Sequence, residues 1–142
     1  MSHLLEVQDL EVKFALRFGD ITAIDGVSFT LDKGEKLGLV GESGAGKSVT
    51  GFSIINLLSK PGYISRGKIW FEKNEISSYS DAQMRKIRGD RISMIFQDPM
   101  MTLNPVLTIG TQMIETVMAH KKVSKKEAAE IALEKLNKVY IP

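Results

Sequence analysis

Apolar side chains at Leu5, Val7, Leu10, Val12 and Phe14 alternate in part with polar neighbours over residues 4–14. Ile21, Ala23, Val27, Phe29 and Leu31 do the same over residues 21–31. A period near two predicts half-buried strands. Phe18-Gly19-Asp20 supplies the turn between them and Lys33-Gly34-Glu35 the next one. The run Leu37-Gly38-Leu39-Val40 has no polar alternation, as expected of a short strand covered on both faces. Val49, Phe52, Ile54, Ile55 and Leu58 then fall at helical spacing. Residues 68–71 and 91–96 are two further apolar segments predicted as strands. Ser80 and Gln83 form a capping box for a short helix that should end at Gly89. Helices are expected over 109–121 and 124–140. The second opens on a Ser124/Glu127 box and carries Ala128, Ile131, Ala132, Leu136, Val139 and Tyr140 on one face.

Composition narrows the chemistry. The 142 residues carry 19 Lys and Arg against 17 Asp and Glu, a formal net charge of +2, so no bulk charge draws the chain onto nucleic acid. With no cysteine there is neither a disulfide framework nor a thiolate metal site, and His3 and His120 are too far apart in sequence to suggest a histidine metal centre. No apolar run approaches the ~18 residues that span a bilayer. The first residues lack the basic start and apolar stretch of a secretory signal. A soluble cytosolic chain is expected.

The chemistry concentrates between the run 37–40 and the helix that follows it. Gly41-Glu42-Ser43-Gly44-Ala45-Gly46-Lys47-Ser48 matches G-x-x-x-x-G-K-[ST], the phosphate-binding P-loop. Glycines let the backbone turn tightly enough for successive N–H groups to face phosphate oxygens. A helix beginning near Lys47 adds its positive N-terminal end. Lys47 supplies a mobile point charge for the β- and γ-phosphates, the Ser48 hydroxyl a ligand for Mg²⁺, and Ser43 a further hydrogen bond. A dinucleotide fingerprint would need a third glycine where Val49 stands, so that reading fails.

About forty strand-like residues precede this loop, more than small P-loop kinases have. The segment Phe18-Gly19-Asp20-Ile21-Thr22-Ala23-Ile24-Asp25-Gly26-Val27-Ser28-Phe29, the Gly34-Glu35 turn and the stretch Val40 to Ser48 resemble the ATP-binding subunits of ABC transporters. Ile95-Phe96-Gln97-Asp98-Pro99-Met100-Met101-Thr102-Leu103-Asn104-Pro105 is similar to the Q-loop of the oligopeptide/dipeptide importer branch. The likeness runs from about residue 4 to the end.

The resemblance implies an α/β fold, a P-loop core of ABC type. An antiparallel β region (1–34), a core portion (35–97), and the Q-loop with the start of a helical subdomain (98–142) would make up one incomplete domain. It implies ATP and Mg²⁺ as ligands, cradled by Gly41 through Val49. Phe18 would stack on adenine, with Phe14 or a neighbour as the alternative aromatic, and both weighed against an ordinary core phenylalanine. Gln97 would ligate Mg²⁺, approach the attacking water and lie beside the membrane-spanning permease subunits. Asp98 superficially ends an apolar strand as a Walker B aspartate would, but the following Pro-to-Pro stretch favours the Q-loop. Met100 and Met101 are balanced between a permease-contacting groove and plain packing, and Met94 is expected in the core. His120 is expected on a helix surface.

A Leu-Ser-Gly-Gly-Gln signature, an apolar strand ending in Asp-Glu and a switch histidine are not in the sequence. The chain is therefore expected to be the N-terminal part of a subunit, binding nucleotide weakly and hydrolysing essentially none by itself. The whole would pair head to tail with a second ATP-binding subunit at the cytoplasmic face of the membrane and energise import of peptides or a similar small solute. The competing readings are a non-catalytic nucleotide-binding or regulatory protein, and a cytosolic ABC-type protein acting on nucleic acid or ribosomes. The small net charge and the Q-loop weigh against the last.

Overall fold

The strands of the N-terminal region pair as a sheet of order β2-β1-β3-β4, in a computed structural model that describes residues 3–98 and 102–141. Strand β1 (Leu5–Leu16) lies between β2 (Gly19–Leu31) and β3 (Gly62–Phe71), antiparallel to both, and the short β4 (Asn74–Glu75) extends the β3 side. Val7, Leu10, Val12, Ile24 and Ile69 are buried, as are Phe71, Ile76 and Met84. Both strands expected over 4–14 and 21–31 form, each somewhat longer than its apolar pattern, and the strand expected over 68–71 begins earlier, at Gly62.

The apolar positions of β1 change phase between Val7 and Leu10, and strict alternation would send one set to solvent. An irregularity in the ladder between these residues keeps Val7, Leu10 and Val12 all buried. Asp9 takes φ 45° there, and its N–H donates to Ser28 Oγ at 2.8 Å. Arg66 Nε meets Asp9 Oδ2 at 2.8 Å, and its other guanidinium nitrogens face Glu11 at 3.4 Å and Asp25 at 3.6 Å. One arginine thus ties the bulge of β1 to both neighbouring strands.

Helix α1 (Lys47–Ile54) is shorter than the 49–58 pattern predicts. Asn56 enters the left-handed region at φ 50°, its N–H donates to Ser53 O at 3.1 Å, and the Leu57 N–H donates to Phe52 O at 2.8 Å. This Schellman closure stops the helix at a residue type that tolerates the conformation. Thr50 and Ser53, on the buried side, return their hydroxyls to Gly46 O at 3.0 Å and Val49 O at 2.7 Å, so no polar group is stranded there. Helix α2 (Asp81–Arg85) has the expected capping box: the Ser80 N–H donates to Gln83 Oε1 at 2.9 Å and the Gln83 N–H to Ser80 Oγ at 3.4 Å. It ends well before Gly89.

The chain divides into two compact units at Met84/Arg85. In the second, α3 (Ile109–His120) and α4 (Lys125–Lys138) pack on each other, with Ala128 and Ala132 buried. Val139 and Tyr140 do not join that face. The helix ends at Lys138, Tyr140 turns to φ 59°, and both side chains are exposed.

Two predicted strands do not form. Residues 37–40 are irregular, with Leu37, Leu39 and Val40 exposed, and in 91–96 the one pairing among the described residues is a single bridge between Arg88 and Ile92. An apolar strand covered on both faces needs hydrogen-bonded neighbours, and the sheet among the described residues contains only β1 to β4.

The Ser124 box makes a testable contribution. Ser124 Oγ accepts from the Glu127 N–H at 3.3 Å, and Glu127 Oε2 accepts from the Ser124 N–H at 2.7 Å. Ser124→Ala should cost about 1 kcal/mol of stability. Bonds from the Ser124 hydroxyl and then its backbone N–H hold the Glu127 carboxyl below its ordinary range. A depressed carboxyl stabilises fully above its unfolded-state value, and that stabilisation fades as pH falls through the folded-state value. Urea denaturation should therefore show a larger gap between wild type and variant at neutral pH than in acid. An equal gap at both would remove the carboxylate from the cap.

Candidate nucleotide-binding loop

The loop 41–48 is built around two glycines in the left-handed region, Gly44 at φ 84° and Gly46 at φ 82°. The Ala45 N–H closes a turn onto Glu42 O at 3.1 Å. At Gly46 the chain also presses against β2: a Cβ there would sit 2.9 Å from Ala23 O and 3.2 Å from Ile24 Cγ1. Glycine is required for both reasons at once. The close approach seats the start of α1 on the middle of β2.

Gly46 is the N-cap of α1, and no side chain caps it. The first-turn N–H groups, which have no intrahelical acceptors, are left for an anion. No acidic residue stands in that first turn to compete. Lys47 folds back over the loop, its Nζ donating to Gly41 O at 2.7 Å and Glu42 O at 2.6 Å. Two of three ammonium hydrogens are thereby fixed, and the cation is held over the loop rather than in free solvent. Glu42, Ser43 and Ala45 are exposed in the loop, Ser48 is exposed in the first turn, and Val49 is half-buried on the next position. The donor set suits an oxyanion: backbone N–H groups, one cation and hydroxyls, with no carboxylate in the helix turn. Ser48 also offers the kind of hard oxygen that Mg²⁺ takes.

Phe18 lies in the two-residue turn between β1 and β2, its side chain fully exposed at 102%. The alternative aromatic, Phe14, is half-buried, and its ring sits 2.8 Å from where a Gly62 Cβ would be. Of the two, Phe18 is the one with a free face, and a core role for it is excluded. Gln97 belongs to the second unit, where it and Asp98 are exposed after the irregular run 93–96. Met94 is half-buried, short of the core position expected. His120, expected at the surface, is also half-buried, with its Nε2 3.0 Å from the Cβ position of Gly89. Met100 and Met101 lie outside the described residues. Among the described residues no cluster of three or more His, Asp or Glu could hold a metal, and no helix is long and apolar enough to cross a membrane.

Nothing in the sequence marks the seat that Ala23 and Ile24 provide for Gly46, or the Tyr63 hydroxyl that donates to Asp20 Oδ2 at 2.6 Å. Neither leaves a signal in spacing, because each joins residues of different elements.

A glycine-rich loop that opens a helix beside an antiparallel sheet suits a phosphate-binding domain, and comparison with known proteins gives the family. Residues 24–141 match the family described as ABC transporter, and the chain belongs to that family. It is 48% identical to the oligopeptide transport ATP-binding protein OppD of Bacillus subtilis (strain 168), over 100% of this chain and 40% of OppD. To the dipeptide transport ATP-binding protein DppD of the same organism it is 50% identical, over 100% of this chain and 43% of DppD. To OppD of Escherichia coli (strain K12) it is 45% identical, over 98% of this chain and 41% of that protein. The chain thus spans about two fifths of the length of these relatives. Its fold is that of ABC cassettes: a dimeric structure of MJ0796 bound to ADP and Pi superposes with TM-score 0.80 at 24% identity, over 94% of this chain and 56% of that one.

Proposed function

We propose that this chain is the nucleotide-binding part of an ATP-binding subunit that energises an ABC importer of peptides or a similar small solute. The observation that carries the reading is the uncapped start of α1 at Gly46, roofed by Lys47 Nζ. The names of relatives similar over the whole chain, peptide transport ATP-binding proteins, supply the substrate class.

In this reading Gly41 through Val49 cradle the phosphates of ATP, with Lys47 at the β- and γ-phosphates. Phe18 stacks on the adenine, which needs only an exposed aromatic face. Mg²⁺, when bound, neutralises phosphate charge, and the Ser48 hydroxyl and Gln97 amide oxygen are the groups that would ligate it. Gln97 positions the attacking water, because a neutral amide adds no repulsion beside the γ-phosphate. No carboxylate of this chain is assigned the role of general base. The subunit pairs head to tail with a second one, contacts the permease subunits through the region around Gln97, and sits peripherally on the cytoplasmic face of the membrane. The domain division at residues 34 and 97 belongs to the same reading. A non-catalytic regulatory role is the alternative.

ATP-driven uptake of a labelled oligopeptide by vesicles carrying the assembled transporter tests the function, and nucleotide binding without uptake would favour regulation. Gln97→Ala should leave the Kd for Mg²⁺-ATP within about twofold, an energy change below ~0.5 kcal/mol. Turnover of a full-length subunit carrying the same substitution should drop about 100-fold or more, the scale of losing a positioned transition-state group. Equal loss of ATP affinity in Gln97→Ala and Lys47→Ala would make Gln97 a binding residue.

A further inference from the structure

The turn that carries Phe18 is tied to the third strand of the sheet. It is a two-residue connection, Arg17 and Phe18, closed by the pair Leu16 and Gly19. A hairpin tip of this kind frays unless something beyond its own ladder holds it. The Phe18 ring has no packing of its own, being fully exposed, so its direction is set by the backbone of the turn.

Two residues past Phe18, Asp20 accepts the hydrogen bond from Tyr63 of β3 at 2.6 Å. The bond crosses β1, because Asp20 stands opposite Ala15 and Tyr63 opposite Lys13. Lys13 lies between them on the same face, paired to Glu11 at 3.0 Å, and Glu11 in turn accepts from Ser65 Oγ at 2.7 Å. A row of polar groups thus runs along three strands and ends at the turn. The backbone assists: the Ala15 N–H donates to Pro61 O at 3.2 Å, and Gly62 leaves room for the Phe14 ring. The same β2 strand that starts beside Phe18 carries Ala23 and Ile24, the seat of Gly46.

We infer that Tyr63 is a positioning residue for the nucleotide base: its hydrogen bond to Asp20 orders the aromatic turn relative to the phosphate loop, whose Gly46 rests on the same strand β2. The inference rests on the proposed stacking of Phe18. Ordering the turn beforehand lowers the entropy lost when a base stacks there.

The test compares ATP with inorganic tripolyphosphate, which offers phosphates but no base, by titration calorimetry on the protein and its variants. Tyr63→Phe should raise the Kd for ATP about fivefold, the effect of one hydrogen bond to a charged group at a partly exposed site, and leave that for tripolyphosphate unchanged. Asp20→Asn, which keeps an acceptor for the hydroxyl, should retain most of the wild-type affinity for ATP. Phe18→Ala should show the same base-selective loss, and Tyr63→Phe added to Phe18→Ala should add nothing further, since both act through one contact. If Phe18→Ala weakens ATP selectively while Tyr63→Phe does not, the positioning role is overturned and the stacking stands. If Phe18→Ala itself leaves ATP untouched, stacking fails, and the inference with it. Equal loss for both ligands in Tyr63→Phe would mean a general structural role and overturn the inference.

Discussion

Lys47→Ala should weaken Mg²⁺-ATP binding at least tenfold and up to roughly a hundredfold, because a charged hydrogen bond contributes about 1.5–3 kcal/mol and each ~1.4 kcal/mol is a factor of ten. The side chain is tethered to Gly41 O and Glu42 O, so the substitution also removes a brace across the loop. Lys47→Arg separates these effects: it keeps the charge but replaces a compact ammonium with a planar fork that must refit two carbonyls. Calorimetry at two salt concentrations makes the comparison. Wild-type affinity should fall more steeply with salt than that of Lys47→Ala, since one attraction to phosphate has been removed. Unchanged affinity in Lys47→Ala would leave the helix terminus as sole anchor and sink the proposed role of the lysine.

Gly67→Ala should be the costliest small substitution in the sheet. Gly67 takes φ 96°, and an added Cβ would press on Asp9 O and lie 2.6 Å from Gln8 O, both backbone atoms of the β1 bulge. Backbone cannot rotate away as a side-chain end can. Left-handed strain of about 1–2 kcal/mol and overpacking of about 1–3 kcal/mol together give a loss of roughly 3 kcal/mol. Gly34→Ala is the matched control, with φ 82° and nothing within 4 Å of the added atom, so that only the strain remains. Urea midpoints should fall clearly further for Gly67→Ala. Equal midpoints would show that the bulge yields. Since β2 pairs with the bulged strand and seats Gly46, Gly67→Ala should also loosen the phosphate loop, seen as weaker tripolyphosphate binding well below the midpoint.

The parts of the site legible in the sequence are those whose physics is local. The P-loop is eight consecutive residues, and its glycine, lysine and hydroxyl positions follow from what a turn and a helix start demand at the backbone. The Ser80/Gln83 and Ser124/Glu127 boxes involve partners three residues apart, and both form. β1 and β2 were legible because apolar residues alternate in part with polar ones along each, although in β2 the buried residue is Ile24, off the alternating set, and Ile21 of that set is exposed.

Residues 37–40 and 91–96 misled for the opposite reason. Their apolar character records how thoroughly a segment would be covered, but a strand exists only through neighbours, and hydrogen-bonded partners are not properties of the segment. Helix ends show a milder version: α1 closes at Asn56 because a left-handed turn there outcompetes the apolar spacing that continues to Leu58. The sequence alone determined the P-loop motif, the capped helices and the strand-like N-terminal region, all specified within a few residues by backbone geometry and periodicity. Only the tertiary structure decided that Gly46 rests on Ala23, that Phe18 and not Phe14 is free, and that Tyr63 reaches Asp20. Those contacts join residues far apart in the chain, and sheet register and the β1 bulge set them, which no local spacing encodes.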